Sequence, residues 1–417
     1  MLKKSFLLVL PLTLILSCTK NHSKSHPGAS LLPLHVLREK VHKDQVICLN
    51  MIVKNEAEVI RRCLDSVKDV IDTWIIVDTG STDGTQDIIR EHLKGIPGAL
   101  YERPWKNWGE TRSEAFELAK GRGDYILFMD ADDILEFKNG VKFPKLSKDV
   151  YLMWRGNEAF SYIKQQLVKG DLPWKWVGVT HEYLDCAHPY TSDLLQDVHY
   201  TVISDGASSH DPKKFWKNVD LLTEGLQQEP DNTRYMFYLA ESYFDAGERG
   251  KALECYQKRV SMGGYETEEI FWSKFRIAFI LQYLGLPDSI VIAGYKDAIA
   301  FRPHRGEPYY YLAEFLNHKQ DYEGAYEIIQ AQASIIQPSG KDYLFNADWI
   351  QDYGMLFQRS ITAYYMGHYE ESLEACDQLL TNKRLPEVWR QLAIDNRKYP
   401  LEKMQEVSLK KTGSNQR

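Results

Sequence analysis

The stretch Asp124 to Asp133, Asp-Tyr-Ile-Leu-Phe-Met-Asp-Ala-Asp-Asp, limits the fold more than any other part of the chain. Tyr125 to Met129 is a short apolar run, which predicts a strand buried on both faces of a parallel sheet. The run stops abruptly at Asp130, Asp132 and Asp133. In open α/β sheets, ligands bind beyond the carboxyl ends of the strands. Asp130 and Asp132 are therefore placed to hold a divalent cation, and hard oxygen ligands suit Mn²⁺ or Mg²⁺. Taken alone, Asp-x-Asp is a weak signal, because a solvated acidic turn reads the same way. Its weight comes from what precedes it.

Val46 to Val53 reads as a buried first strand ending at Lys54-Asn55-Glu56. A helix follows, with Val59, Ile60, Cys63, Leu64 and Val67 at three- and four-residue spacing. Trp74 to Val77 is a second strand, ending at Asp78. Gly80 and Gly84 then permit a tight turn, with Ser81, Thr82, Asp83 and Thr85 as capping residues for a helix Gln86 to Leu93. A third strand at Leu100 to Glu102 and a helix at Ser113 to Lys120 lead to Tyr125. This alternation predicts an α/β domain with a mostly parallel sheet and right-handed crossovers. Asp78 and the Asp130 group then lie on the same edge of the sheet. Asp78 could accept a hydrogen bond from a nucleobase N–H, or simply cap its own turn.

The chain at this point resembles the family-2 glycosyltransferases of the GT-A fold. The resemblance rests on Asn55-Glu56-Ala57-Glu58, Val77-Asp78-Thr79-Gly80-Ser81-Thr82-Asp83-Gly84-Thr85, Gly109-Glu110-Thr111-Arg112 and Phe128-Met129-Asp130-Ala131-Asp132-Asp133. It implies a nucleoside-diphosphate sugar as donor, with Asn55, Glu56, Asp78, Arg112 and Asp130 around the nucleotide. It also implies Asp130 and Asp132 as the metal motif, Asp132 being the more direct ligand. Ser113 stands where relatives often have Asn. Inversion at the anomeric carbon is implied by the family alone.

A second cluster, Trp174 to Tyr183, follows a further strand at Val150 to Arg155. Trp174, Trp176 and His181 are candidates for the acceptor side, the two indoles as a platform for a sugar or else as core. His181-Glu182 resembles a His-Glu pair in the tetratricopeptide-bearing branch of the family. An inverting transferase needs a carboxylate to deprotonate the acceptor hydroxyl. Glu182 is the first candidate for that base and Asp133 the second. His199 and His210 are weaker metal-ligand candidates with no local motif.

From Lys213 the pattern becomes helical. Tyr238-Leu239-Ala240, Arg276-Ile277-Ala278, Tyr311-Leu312-Ala313 and Ile361-Thr362-Ala363 each open a helix pair. The offsets resemble tetratricopeptide repeats, whose period is about 34 residues. Such pairs stack into a solenoid, because one pair cannot bury its apolar face alone. A peptide or protein partner on the repeats, a bracing role and guidance of a polymeric acceptor all remain open. The expected organisation is a leader at 1–18, a linker at 19–44, an α/β transferase domain at 45–212, an all-α repeat domain at 213–397 and a frayed tail at 398–417.

The 417 residues carry a net charge of −7, which gives no electrostatic case for nucleic-acid binding. Lys3 and Lys4 precede an apolar stretch from Phe6 to Leu16, which reads as an export signal. Cys18 after Ser17 resembles a lipobox cysteine and is a candidate for lipidation. Membrane association through this segment is expected, either as a lipoprotein or as an anchor facing the cytoplasm. Export would separate the enzyme from cytoplasmic nucleotide sugars. The rival expectation is therefore a tetratricopeptide scaffold with a non-catalytic transferase domain. The expected acceptor is a glycan, a lipid or a protein. A nucleotidyltransferase ranks lower, because Val46 to Glu58 contains no glycine. An Asp-x-Asp-x-Thr phosphatase is also poor, since Asp78-Thr79-Gly80 lacks the second aspartate.

Overall fold

The computed structural model describes residues 36, 44–140, 142–156, 161–335, 342 and 344–414. The leader, Cys18 and most of the linker lie outside them.

The first half is built on an eight-stranded sheet with order β3-β2-β1-β4-β7-β6-β10-β5. Its strands are β1 (Ile47–Val53), β2 (Thr73–Asp78), β3 (Gly98–Glu102), β4 (Tyr125–Phe128), β5 (Asp133–Phe137), β6 (Val150–Gly156), β7 (Ser161–Lys169) and β10 (Ser192–Val202). β8 (Trp174–Val177) and β9 (Tyr183–Cys186) form a separate antiparallel hairpin. Pairing is parallel across β3, β2, β1 and β4, and again between β6 and β10. β7 runs antiparallel to β4 and β6, and β5 antiparallel to β10. The sheet is thus mostly parallel, with antiparallel insertions beyond the acidic motif.

β1 shows why the sheet takes cover on both faces. Leu49, Met51 and Val53 point into one core with Ile60, Leu64 and Ile89. Those partners come from α1 (Ile60–Val67) and α2 (Thr85–His92). Cys48 points the other way, with Phe116, Phe128 and Trp176. This second face is covered by α3 (Trp108–Ala119) and the β8–β9 hairpin. The period-two alternation buries every residue of β1, so the strand reads as continuously apolar. Its one polar residue, Asn50, donates to the Ile75 and Ala115 carbonyls at 3.1 and 3.0 Å and ties α3 to the sheet.

The second half is helical. α4 (Lys214–Gln228) leads into four helix pairs. These are α5 (Thr233–Asp245) with α6 (Arg249–Met262), and α7 (Thr267–Tyr283) with α8 (Asp288–Phe301). They continue as α9 (Glu307–His318) with α10 (Tyr322–Ala333), and α11 (Met355–Tyr365) with α12 (Tyr369–Thr381). A one-turn π-helix at Ile350–Gly354 feeds α11. The final α13 (Glu387–Ser414) runs well past residue 398. The expected frayed tail is therefore helical through Ser414. Its polar face is laced by Lys398–Asp395 and Lys403–Glu406 pairs one turn apart, and Pro400 is accommodated within it. Among the described residues, no helix is long and apolar enough to cross a membrane. The described cysteines are free, with Cys48, Cys63 and Cys376 buried and Cys186 and Cys255 partly so.

Candidate active site

The carboxyl edge of β2, β1 and β4 carries the site. Asp78 ends β2 and is fully buried. Its Oδ1 accepts from the Gly80 and Ser81 N–H groups at 2.9 and 2.8 Å and from Gln86 Nε2 at 3.0 Å. The turn needs Gly80 at φ 106° and Gly84 at φ 93°, which a side chain would strain. Asp78 Oδ2 is buried with no hydrogen-bond partner among the described residues. A buried carboxylate oxygen costs free energy unless a donor reaches it.

The turn after β2 is stitched to the turn after β1. Asn55, at φ 57°, donates its N–H to Ser81 Oγ at 2.8 Å and accepts the Thr82 N–H on Oδ1 at 2.8 Å. The Glu56 N–H reaches Thr85 Oγ1 at 2.8 Å, and the Ala57 N–H reaches Asp83 Oδ2 at 2.9 Å. These bonds turn the Glu56 side chain toward Asp132. Glu56 Oε2 accepts from the Ala207 N–H at 3.1 Å, and Asp132 Oδ2 from the Gly206 N–H at 3.2 Å. A methyl group placed on Gly206 would lie 2.9 Å from Glu56 Oε2 and 3.0 Å from Asp132 Oδ2, so the two carboxylates converge. Burial pushes the Glu56 carboxyl up to about 7, against the Ala207 bond and with the Asp132 charge adding to the rise. Asp78 and Asp132 are thus joined through Asn55 and Glu56 on one edge.

Asp130 belongs to a different set. Arg112, from α3, bonds its Oδ1, and Arg155, from β6, reaches its Oδ2 at 2.7 Å. Burial opposes its charge, yet the two guanidinium groups hold Asp130 well below the usual carboxylate range. Arg112 Nε also lies 2.7 Å from Glu182 Oε1, and its guanidinium sits 5.4 Å from the Trp176 ring centre. Arg155 lies 2.8 Å from Asp133 Oδ2. Asp133 has no exposed surface, and burial raises it to about 7.

The two residues of the expected cation motif, Asp130 and Asp132, have different partners. Asp130 is committed to two arginines, whereas Asp132 and Glu56 are held by backbone N–H groups from one loop. Two converging hard oxygen donors fit a divalent cation that takes its remaining ligands from a diphosphate. Among the described residues, no group of three or more His, Cys, Asp or Glu side chains could hold a metal ion alone. His199 Nε2 lies 3.1 Å from the Gln196 carbonyl and His210 Nε2 lies 3.1 Å from the Asp205 carbonyl. Asp205 pairs with Arg62 at 2.6 Å, so His210 stands in the loop that abuts Asp132.

Of the two readings of the aromatic cluster, the indoles take the core one. Trp174 and Trp176 are 2% and 3% exposed and pack with Phe116 and Phe128. They cannot serve as an open platform. Ser113, in place of the usual Asn, fastens this hairpin: its Oγ accepts the Trp176 N–H at 3.0 Å and donates to the Trp176 carbonyl at 3.2 Å. His181, at φ 51°, faces the repeats and stacks on Tyr238. Two site residues had no motif. Arg155 is one. Lys164 on β7 is the other, its ammonium 5.4 Å from the ring centre of Trp176, which Arg112 also approaches. Burial and the neighbouring Arg155 push it down to about 8. A lone Arg in the otherwise apolar Val-Tyr-Leu-Met-Trp-Arg-Gly of β6 was the available signal.

The geometry describes a nucleotide-type edge with an acid–arginine network, and residues 48–139 match the family described as glycosyl transferase family 2. Residues 48–139 are thus similar to the family-2 glycosyltransferases, and the helix pairs that follow resemble tetratricopeptide repeats. It is similar to the prophage-derived glycosyltransferase SunS of Bacillus subtilis, 25% identical over 238 residues, covering 54% of this chain and 55% of that one. An uncharacterized glycosyltransferase of Rickettsia felis is 28% identical over 264 residues, 58% of this chain and 84% of the relative. A TPR repeat-containing protein of Synechococcus elongatus is 43% identical over 90 residues, 21% of each chain. The chain spans about half the length of the first of these relatives, 55%. Among solved structures, the TPR protein YrrB matches at TM-score 0.33 and 13% identity, covering 45% of this chain and 84% of that one.

Proposed function

We propose that the chain moves a sugar from a nucleoside-diphosphate sugar to an acceptor hydroxyl, with inversion. The observation that carries this reading is the unpartnered, buried Asp78 Oδ2 on the same edge as Asp132. A nucleobase N–H would supply the missing donor. Arg112 pairs with both Asp130 and Glu182, which supports a nucleotide on the Asp130 side and an acceptor on the Glu182 side.

The acceptor oxygen attacks the anomeric carbon while the bond from that carbon to the diphosphate breaks. The electron pair leaves with the diphosphate, and the acceptor proton passes to Glu182. Asp133 is the poorer base, because its complete burial keeps it from an acceptor. A Mn²⁺ or Mg²⁺ held by Asp132, with Glu56 beside it, would supply positive charge against the departing diphosphate.

The test is a panel of nucleotide sugars, assayed for transfer and hydrolysis with and without Mn²⁺. One donor should turn over with Mn²⁺, and Asp132→Ala should abolish that turnover. Glu182→Gln should lower kcat by roughly 10²-fold or more with little change in donor KM. Full activity in Asp132→Ala would remove the metal role. Failure of every donor would remove the enzyme reading.

A further inference from the structure

Glu182 does not sit on a strand of the main sheet. It ends the loop Gly178 to Glu182, which joins β8 to β9 where Val177 pairs with Tyr183. On its inner side this loop meets α3 of the transferase domain. The Trp108 N–H donates to the Val179 carbonyl at 3.1 Å, and Gly109 lies against the Gly178 carbonyl. On its outer side it meets the helical half of the chain. A methyl group on Gly225 of α4 would come within 3.3 Å of Val179 Cγ2, and Thr180 Oγ1 lies 3.4 Å from Asn218 Oδ1.

The firmest hold is at His181, directly before Glu182. Arg234 of α5 donates to the His181 carbonyl from Nη2 at 2.9 Å and from Nε at 3.2 Å. The imidazole lies flat on Tyr238, with ring centres 4.1 Å apart and planes 4° apart. Arg234 also lies 4.8 Å from the Tyr238 ring centre and 5.3 Å from that of Tyr183. Its guanidinium reaches Glu269 of the next helix pair at 3.5 Å, and Glu269 is held by the buried Arg259 at 3.0 Å. His181 sits at φ 51°, a conformation that a non-glycine residue keeps only when its surroundings enforce it.

We infer that the first helix pair of the repeats positions Glu182 for catalysis, by clamping the carbonyl and ring of His181 with Arg234 and Tyr238. The inference rests on Glu182 being the proton acceptor of the transferase reaction. Arg234 and Tyr238 are positioning residues, since they act through the carbonyl and ring of His181. The direction of Glu182 is fixed from one side by Arg112 and from the other by the repeats.

The test uses the full chain as wild type, Arg234→Ala, Tyr238→Ala and Tyr238→Phe. Hydrogen exchange of the backbone amides of residues 179–183 is measured with the kinetics of the donor that turns over in the panel. Arg234→Ala and Tyr238→Ala should speed exchange in this loop about tenfold or more while leaving β1 and β4 protected. They should lower kcat about tenfold with donor KM unchanged. Tyr238→Phe keeps the stacking ring and should restore both. Unchanged exchange in both alanine variants would overturn the clamp. A loosened loop with wild-type kcat would overturn its catalytic role. A loosened loop in a chain that turns over no nucleotide sugar would defeat the transferase reading, leaving a structural contact only.

Discussion

Asp78 and Glu56 use the same functional group differently, and each makes its own prediction. Asp78→Asn puts an N–H₂ where the unpartnered Oδ2 now waits for a donor. Affinity for the matching nucleoside diphosphate should fall about tenfold or more, read by titration calorimetry. Unchanged affinity would mean that Asp78 only caps its turn. Glu56 is held up to about 7, so without a cation its contribution is full below pH 4.5 and is lost as pH rises through 7. Glu56→Gln mimics the protonated form. Its melting temperature should match wild type near pH 4 and exceed it near pH 8; a constant difference across that range would contradict the shift. Asp78, Asp130 and Asp132 were legible because they close strands inside recognisable turns, and Arg112 because it ends the Gly109-Glu110-Thr111-Arg112 motif. Arg155 and Lys164 were not, because their place depends on the pairing of β6 and β7 beside β4. That register is set by distant residues.

The elements give predictions of another kind. Three of the four helix-pair turns carry a glycine in the left-handed region: Gly247, Gly285 and Gly367. The fourth carries Gln320 at φ 64°. All four share one bond, from the next residue's N–H to a carbonyl five back: Glu248 to Tyr243, Leu286 to Leu281, Asp321 to Leu316 and His368 to Ala363. This bond is the C-terminal cap that glycine favours. Gln320→Gly should therefore raise stability by about 0.5–1 kcal/mol in urea unfolding. A loss of stability would show that Gln320 is not strained. Gly109→Ala should do the reverse. Its new methyl would lie 2.3 Å from the Gly178 carbonyl oxygen, which is backbone and cannot swing aside. A loss of about 1–3 kcal/mol is expected, with impaired turnover because the Glu182 loop is displaced. The repeats were legible because their turns and small residues recur. The parallel strands were legible as apolar runs. β7 and β10 were not, because Ser161–Lys169 and Ser192–Val202 mix polar and apolar residues and lack the uninterrupted apolar run that marks β1 and β4.

At the scale of the molecule, two halves that read as separate in sequence meet at one loop. The sequence placed the His-Glu pair but gave no sign that His181 would face the repeats while Glu182 faced Arg112. A left-handed residue between the two orientations produces that split. The proposed binding edge has acidic side chains from the tips of β2 and β4, with the turn after β1, surrounding a nucleotide and its cation. Its most direct test is a crystal structure of the full chain with Mn²⁺ and the nucleoside diphosphate that binds best in the panel. The anomalous Mn²⁺ peak should lie on the Asp132 carboxylate with the diphosphate beside it, and a base N–H should face Asp78 Oδ2. A Mn²⁺ peak away from Asp132, or a base bound elsewhere than Asp78, would contradict the account.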